Sequence, residues 1–471
     1  MKFTSFLFFT FWAVPLYLVA QDHQHHEMRM DSTMRMDHKN MPADTSMKME
    51  HGKMSMDSTR MNMPSAFSRN LPMNVNGSGT SWHPKNSPMY MNMFHKNGWN
   101  FMLHYGIFLT YSNQNVNGAP GKRGDASFNA PNWIMLMATR RVGKRGLFMV
   151  RGMISGDPFT VGGQGYPLLF QTGESWKGKP LIDHQHPHDL ISELAIGYSH
   201  AFNSNIDLYG YVGMPGEPSI GPPAFMHRPS ALNIPTAPVS HHWQDATHIT
   251  FGVATLGFRY KNIKVEGSTF TGREPNENRY NFDKPRFDSY SGRISFNPVK
   301  SLAFQTSYAY LKSPEGLFQE QDIERYTASL LHNYWFNEKK VISTSLVWGM
   351  NRYHDQGAIS IGHSVVLESN LQTQWYSYFT RLEFVQKDNH ELEISSGDEH
   401  RNNNIGVFAV GASRYISKNN YFWLDLGVMG TAYAFSSELD PYYGKHPYSI
   451  QVFLRIVPPR MRMMGMKKMN M

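Results

Sequence analysis

Tyr448-Ser-Ile-Gln-Val-Phe-Leu-Arg-Ile456 decides how the rest of this chain is read. Tyr448, Ile450, Val452, Leu454 and Ile456 alternate with Ser449, Gln451, Phe453 and Arg455. Successive side chains of a strand point to opposite faces, so one face here is apolar and the other polar or charged. The pattern recurs upstream. Ile263 and Val265 alternate with Lys264 and Glu266, and Phe422, Leu424, Leu426 and Val428 alternate with Trp423, Asp425 and Gly427. From Trp99 onward sixteen such segments are found, near 99–112, 131–141, 146–155, 190–202, 205–213, 247–260, 262–272, 287–297, 301–312, 323–336, 339–351, 362–372, 375–386, 404–416, 421–434 and 447–457. The connections alternate in length. Those after even-numbered segments are short, such as 142–145 and 203–204, and those after odd-numbered ones are long, the largest being 156–189 and 214–246.

A soluble sandwich has no reason to keep that parity, whereas an outer-membrane barrel has short periplasmic turns and long external loops. The expected fold class is therefore all-β. It is a transmembrane antiparallel β-barrel of about 16 strands over 99–457, with disordered Met/His-rich N-terminal and Met-rich C-terminal tails. An even strand count puts both termini in the periplasm, and the expected location is the outer membrane of a Gram-negative bacterium. Outer-membrane lipid and lipopolysaccharide are then expected partners. Inward positions carry Glu193, Glu266, Arg293, Glu368, Arg381, Glu383, Asp425 and Arg455. Such charges suit a wet lumen, either bracing the wall or serving transport.

The bulk numbers agree. Aromatics make up 14% of the 471 residues and glycine contributes 38, as suits many strands and turns. Residues 1–20 read as a secretory signal, with Lys2, an apolar run over 7–19 and Ala20 at the cut. Beyond them no apolar run is long enough for a membrane helix. There is no cysteine, hence no disulfide framework. The net charge of +8 is spread over turns and the C-terminal tail, and with secretion it does not point to nucleic acid.

Soft metal chemistry dominates the ends. The segment 21–63 holds eleven methionines and five histidines in 43 residues, with nothing to build a core. Methionines recur two apart: Met28 with Met30, Met34 with Met36, Met47 with Met49, Met54 with Met56 and Met61 with Met63. His38, Met41 and His51 lie close by. Thioethers favour Cu(I), and imidazole suits Cu(II) and other borderline metals. The segment 458–471 carries six more methionines, from Met461 to Met471. Cleavage after Ala20 would leave a free amine two residues before His23, a square-planar donor set for Cu(II). Residues 64–98, rich in Asn, Ser, Gly and Pro and containing His83, Met89, Met91, Met93 and His95, form a linker or a lumenal plug.

Two long connections are rich in histidine. One ends Asp183-His-Gln-His-Pro-His-Asp189, and the next carries His227 and then His241-His-Trp-Gln-Asp-Ala-Thr-His248. In an extended segment His184, His186 and His188 point the same way, about 7 Å apart at neighbouring steps. Parity brings both connections to one end of the barrel. The expectation is a second metal site, for Cu(II) or another divalent ion, from His184, His186, His188, His227, His241, His242 and His248. Asp183, Asp189 and Asp245 would orient the rings or bind directly.

The run Met36-Asp-His-Lys-Asn-Met41, echoed by Met49-Glu-His-Gly-Lys-Met54, resembles the N-terminal repeats of copper-resistance outer-membrane proteins of the CopB/PcoB type. The resemblance covers the tail by motif and the remainder by architecture. It implies an outer-membrane barrel that binds and transports or sequesters copper, in contact with periplasmic copper-handling proteins. The alternative is a general solute porin whose tails buffer metal incidentally. An enzyme is not expected: His363-Ser364 is adjacent but lacks the third partner a nucleophile needs.

Overall fold

In the computed structural model, residues 63–395 and 398–461 are described. The signal and the methionines beyond Met461 lie outside them. So do all the ligands expected in the N-terminal tail: His23, Met28, Met30, Met34, Met36, His38, Met41, Met47, Met49, His51, Met54 and Met56. The alternating segments form strands that each pair antiparallel with the next. In chain order these are β1 (Trp99–Asn113), β2 (Asn132–Val142), β3 (Gly146–Ile154), β4 (Ile191–Ala201), β5 (Ile206–Gly213), β6 (Val253–Tyr260), β7 (Ile263–Phe270) and β8 (Ser289–Phe296). They continue as β9 (Leu302–Leu311), β10 (Gln321–Asn337), β11 (Lys340–Asp355), β12 (Ala358–Gln372), β13 (Tyr376–Asp388), β14 (Asn402–Lys418), β15 (Trp423–Ala434) and β16 (Tyr448–Val457). Ile450–Ile456 of β16 pair with Ile107–Asn113 of β1 and close a sixteen-stranded barrel. Shorter segments complete the seam. Asn92–Lys96 continues the line of β16 along β1, and Ala126–Asn129 covers the other edge of β1 beyond the reach of β2. Closure leaves no strand edge open to lipid among the described residues, where an unpaired backbone group would have no partner.

The two faces sort as the alternation requires. Outward positions such as Ile196, Val212, Leu256, Val410 and Leu454 are exposed apolar side chains, a surface suited to hydrocarbon. Near the short-turn end Tyr198, Phe202, Tyr260, Phe296 and Tyr334 point out as an aromatic girdle. Inward charges are bonded rather than free. Glu193 takes two bonds from Arg151 at 2.7 and 2.8 Å, Glu266 pairs with Arg293 at 3.0 Å and Glu368 with Arg381 at 2.9 Å. Asp425 pairs with Arg455, and Glu383 accepts from Ser240 at 2.8 Å. All eight inward charges named from the sequence thus brace the interior.

Two connections differ from expectation. The long connection expected after β11 is a two-residue turn, Gln356-Gly357, both at positive φ (46° and 94°), because β11 and β12 stay paired to Asp355 and Ala358. Arg352, His354 and Asp355 hide the apolar alternation there, yet backbone pairing does not need it. The longest connection, 214–252, is folded into the lumen instead of lying outside. Arg228 bonds Glu368 at 2.9 Å, Ser230 meets Ser345 at 2.8 Å, and Arg455 donates to the Leu232 carbonyl at 2.5 Å. Arg381 reaches the Thr236 carbonyl at 2.9 Å and Asn233 reaches Ser413 at 3.0 Å.

Residues 63–91 line the interior at the short-turn end. Ser68 donates to Asp207 at 2.5 Å, Lys85 to Asn262 at 2.6 Å, and Asn333 to Ser87 at 2.8 Å. Glu217 of the segment 214–252 accepts from Ser78 at 3.0 Å, tying the two lumenal segments together.

Candidate functional site

The two histidine-rich connections meet just inside the barrel. After β3 the chain enters a short helix, Asp157–Thr160, whose Asp157 carboxylate accepts from the backbone N–H of Asn132 and holds His188 Nδ1 at 2.8 Å. Gly165 (φ +71°) lets the return strand approach: a Cβ there would stand 1.9 Å from the Gln185 carbonyl. Across the lumen, His241–Trp243 form one turn of 3-10 helix. The Trp243 carbonyl sits where a Cβ on Gly349 of β11 would come within 2.1 Å. Two glycines, one in each setting, therefore bring the imidazoles together.

Five imidazoles form a closed circuit. Neighbouring ring centroids are 6.5 Å apart for His186–His188, 5.4 Å for His188–His248, 5.3 Å for His248–His241, 5.5 Å for His241–His242 and 6.0 Å for His242–His186. The outer nitrogens are anchored by oxygen. His188 Nδ1 meets Asp157, His241 Nδ1 meets Asp245 at 2.6 Å, His242 Nδ1 faces Glu274 at 3.5 Å and His248 Nδ1 meets the Asp245 carbonyl at 2.9 Å. The Nε2 atoms of His242 and His248 are buried without a partner. An imidazole whose Nδ1 is held by oxygen presents Nε2 for ligation, the usual arrangement around protein-bound metals. Among the described residues, no group of three or more His, Asp or Glu side chains already has the spacing of a metal site. The circuit would have to contract to share one ion.

Burial pushes the His241 imidazole down to about 4, against the pull of Asp245, and drives His242 and His248 well below the ordinary range. In all three rings burial favours the neutral form, the form that ligates. Burial would raise the Asp245 carboxyl, but the Arg228 guanidinium holds it below the usual range. Glu274 goes the other way, to about 7, through burial and then the nearby Glu174.

Other expected ligands lie apart. Asp183 (φ +59°) is turned to accept from the Phe170 N–H at 2.6 Å and faces Arg123 at 3.8 Å. His184 pairs as backbone with Pro167 and its ring meets the Ile182 carbonyl at 3.1 Å, so it leaves the line of His186 and His188. The cause is that the His-x-His-x-His run is extended only at His184-Gln185. His227 stands with His104 and Trp133, at centroid distances of 5.8 and 4.5 Å. Asp189 is held by Arg279 at 3.4 Å. Asp157, Glu174 and Glu274, the carboxylates that touch the rings, were missed. The sequence signal for Asp157 was its place before Pro158 at a strand end, and Glu274 comes from a third connection with no local signal. His363 and Ser364, being adjacent on β12, point to opposite faces: Ser364 is buried inward and donates to the Gly349 carbonyl at 3.4 Å, while His363 stacks on outward Trp348. They form no nucleophile–base pair.

No family model matches the chain, and no curated relative does. Among solved structures it is similar to OmpF of Salmonella typhi in a complex with daunomycin, at 9% identity and a TM-score of 0.48 over 78% of this chain and 100% of that one. It is also similar to the outer membrane channel DcaP of Acinetobacter baumannii (9%, 0.42, over 77% and 98%). A third is an anion-selective porin from Comamonas acidovorans (13%, 0.41, over 76% and 99%). Closure, the apolar outer face and the polar lumen make this chain a transmembrane β-barrel of the outer-membrane type.

Proposed function

We propose that the chain is a porin-like outer-membrane channel for small solutes, shut in the conformation described and opened by displacement of 214–252. The observation that carries this reading is a closed barrel whose lumen is filled by the segments 63–91 and 214–252, the second held to the wall through side-chain bonds. Such bonds can be exchanged for water without breaking the wall. In planar bilayers the full chain should conduct rarely. A variant with 222–245 replaced by a short Gly/Ser linker should retain heat-modifiable mobility and conduct steadily. An assembled variant that never conducts would overturn the channel.

The five-imidazole circuit favours a second reading, in which the barrel handles copper: Cu(I) at the methionine-rich tails and Cu(II) or another divalent ion at His186, His188, His241, His242 and His248. The oxygen-held Nδ1 atoms of His188, His241 and His248 and the unpartnered Nε2 atoms of His242 and His248 support it, as does the Met/His tail with its resemblance to copper-resistance barrels. His186 would have to leave Glu174, which holds its Nε2 at 3.0 Å. Periplasmic copper carriers are then natural partners. The test uses full-length protein with His23, His25, His26, His38 and His51 changed to alanine. One Cu(II) equivalent should give an electron paramagnetic resonance spectrum split by several imidazole nitrogens. Changing the five lumenal histidines to alanine should abolish that splitting; its persistence would reject the site.

A further inference from the structure

A second gathering of soft donors lies away from that circuit. Strands β1 and β2, the inner segment 63–91 and the connection 214–252 enclose a cavity of about 60 Å3. Register builds its wall. Met102 stands directly opposite Met137, and His104 directly opposite Met135. Residues two apart on a strand share a face, and facing residues of paired strands are neighbours, so these four make a compact inward panel. Met102, Met135 and Met137 are all buried. The inner segment adds Met89, Met91 and His83, and the connection adds His227. Trp133 fixes two of the rings: its centroid lies 4.6 Å from that of His104 and 4.5 Å from that of His227.

Methionine is an adaptable core filler, and packing alone would explain thioethers in a barrel. Two observations go further. His104 Nε2 and His83 Nδ1 are buried without a hydrogen-bond partner, and both residues line the cavity. Filler gives no reason to bury unpaired ring nitrogens, since buried polar atoms are ordinarily satisfied. Among the described residues no Asp or Glu lines the cavity, and its one permanent cation, Arg151, is held by Glu193. Hard divalent ions need oxygen donors and charge compensation. A soft monovalent ion carries half the charge of a divalent one and prefers sulfur with nitrogen. Both methionine-rich tails also join the described chain here. The Met73 N–H donates to the Met63 carbonyl at 3.1 Å, and the Met461 N–H to the Met89 carbonyl at 2.8 Å.

We propose that this cavity binds a soft monovalent cation, Cu(I) or Ag(I), through the thioethers of Met91, Met102, Met135 and Met137 and the imidazoles of His104 and His83. Its role rests on the copper reading, but its ligands are separate from the five-histidine circuit. The experiment uses the full chain in micelles, with tail methionines 28–61 and 463–471 changed to leucine and the remaining methionine methyls labelled with 13C. Ag(I) is the probe. One equivalent should shift the Met102, Met135 and Met137 methyl signals together. The double change Met102→Leu with Met135→Leu keeps the volume, and should weaken binding by roughly tenfold or more. Should that variant lose heat-modifiable mobility, His83→Asn serves in its place with the same expected loss. Alanine at the five circuit histidines should leave the titration unchanged. Unshifted signals, an affinity indifferent to the methionine changes, or a response abolished by the circuit variant would each overturn the proposal. Conductance plays no part in the readout, so failure of the channel reading leaves the test intact.

Discussion

Single side chains decide what holds the lumen shut. Glu368 accepts from Arg228, Arg381, Ser345 and Ser230, and its carboxylate is fully buried. Removing one partner of a buried ion pair strands the other charge, at a cost of about 3–5 kcal/mol. Glu368→Gln should lower stability to urea in micelles by about that amount. Asp322→Asn, which breaks the half-exposed pair with Lys312 at 2.8 Å, should change it by less than about 1 kcal/mol. Equal losses from the two would show that the lumen is wet enough to screen Glu368. The inward direction of Glu368 was legible in the sequence, because alternation assigns faces residue by residue. Its partner Arg228 was not, since it lies in a connection with no period, and only closure brings residues 140 apart into contact.

At the scale of elements, the sixteen strands could be read from local pattern because a strand's period is two wherever its neighbours lie. The connections could not, since nothing local says whether a loop folds in or out. The segment 214–252 folds in where the wall offers room. Trp243 lies over Gly349 of β11 and Gly362 of β12, with Cβ positions that would fall 2.1 Å from its carbonyl and 2.8 Å from its indole nitrogen. Gly349→Val should therefore displace His241–Trp243 while leaving the wall paired, with an overpacking cost of roughly 1–3 kcal/mol. Bilayer conductance should rise and the imidazole splitting of bound Cu(II) should weaken. Gly430→Val on β15, where an added Cβ meets nothing, is the control and should change neither. If both variants behaved alike, the contact of Trp243 with the wall would not be what seats the loop. The same logic explains the candidate site: His186 and His188 stand beside His241, His242 and His248, whereas His184 and Asp183 turn away at a backbone twist that spacing does not reveal.

For the whole molecule, an even number of strands puts both ends of the described chain on the side of the short turns, where residues 63–98 also lie. We propose that this side is the periplasm, where barrels of this type keep their short turns. Protease access on intact cells tests the orientation and the inward fold together. A cleavable tag in the connection 271–288, which has exposed residues around Asn276 and Asn278, should be cut from outside. A tag at Asn419-Asn420, in the short turn between β14 and β15, should be cut only after the outer membrane is opened. A tag beside Asn233 is the most informative of the three. It lies in the longest connection, which length alone would put outside, but Asn233 has no exposed surface and is bonded to Ser413 and Asn370. That tag should resist protease from either side until the barrel unfolds. Cleavage at Asn419-Asn420 on intact cells would invert the topology. Ready cleavage beside Asn233 with the barrel still heat-modifiable would mean that the lumen stands open, and the shut channel described above would give way to an open pore.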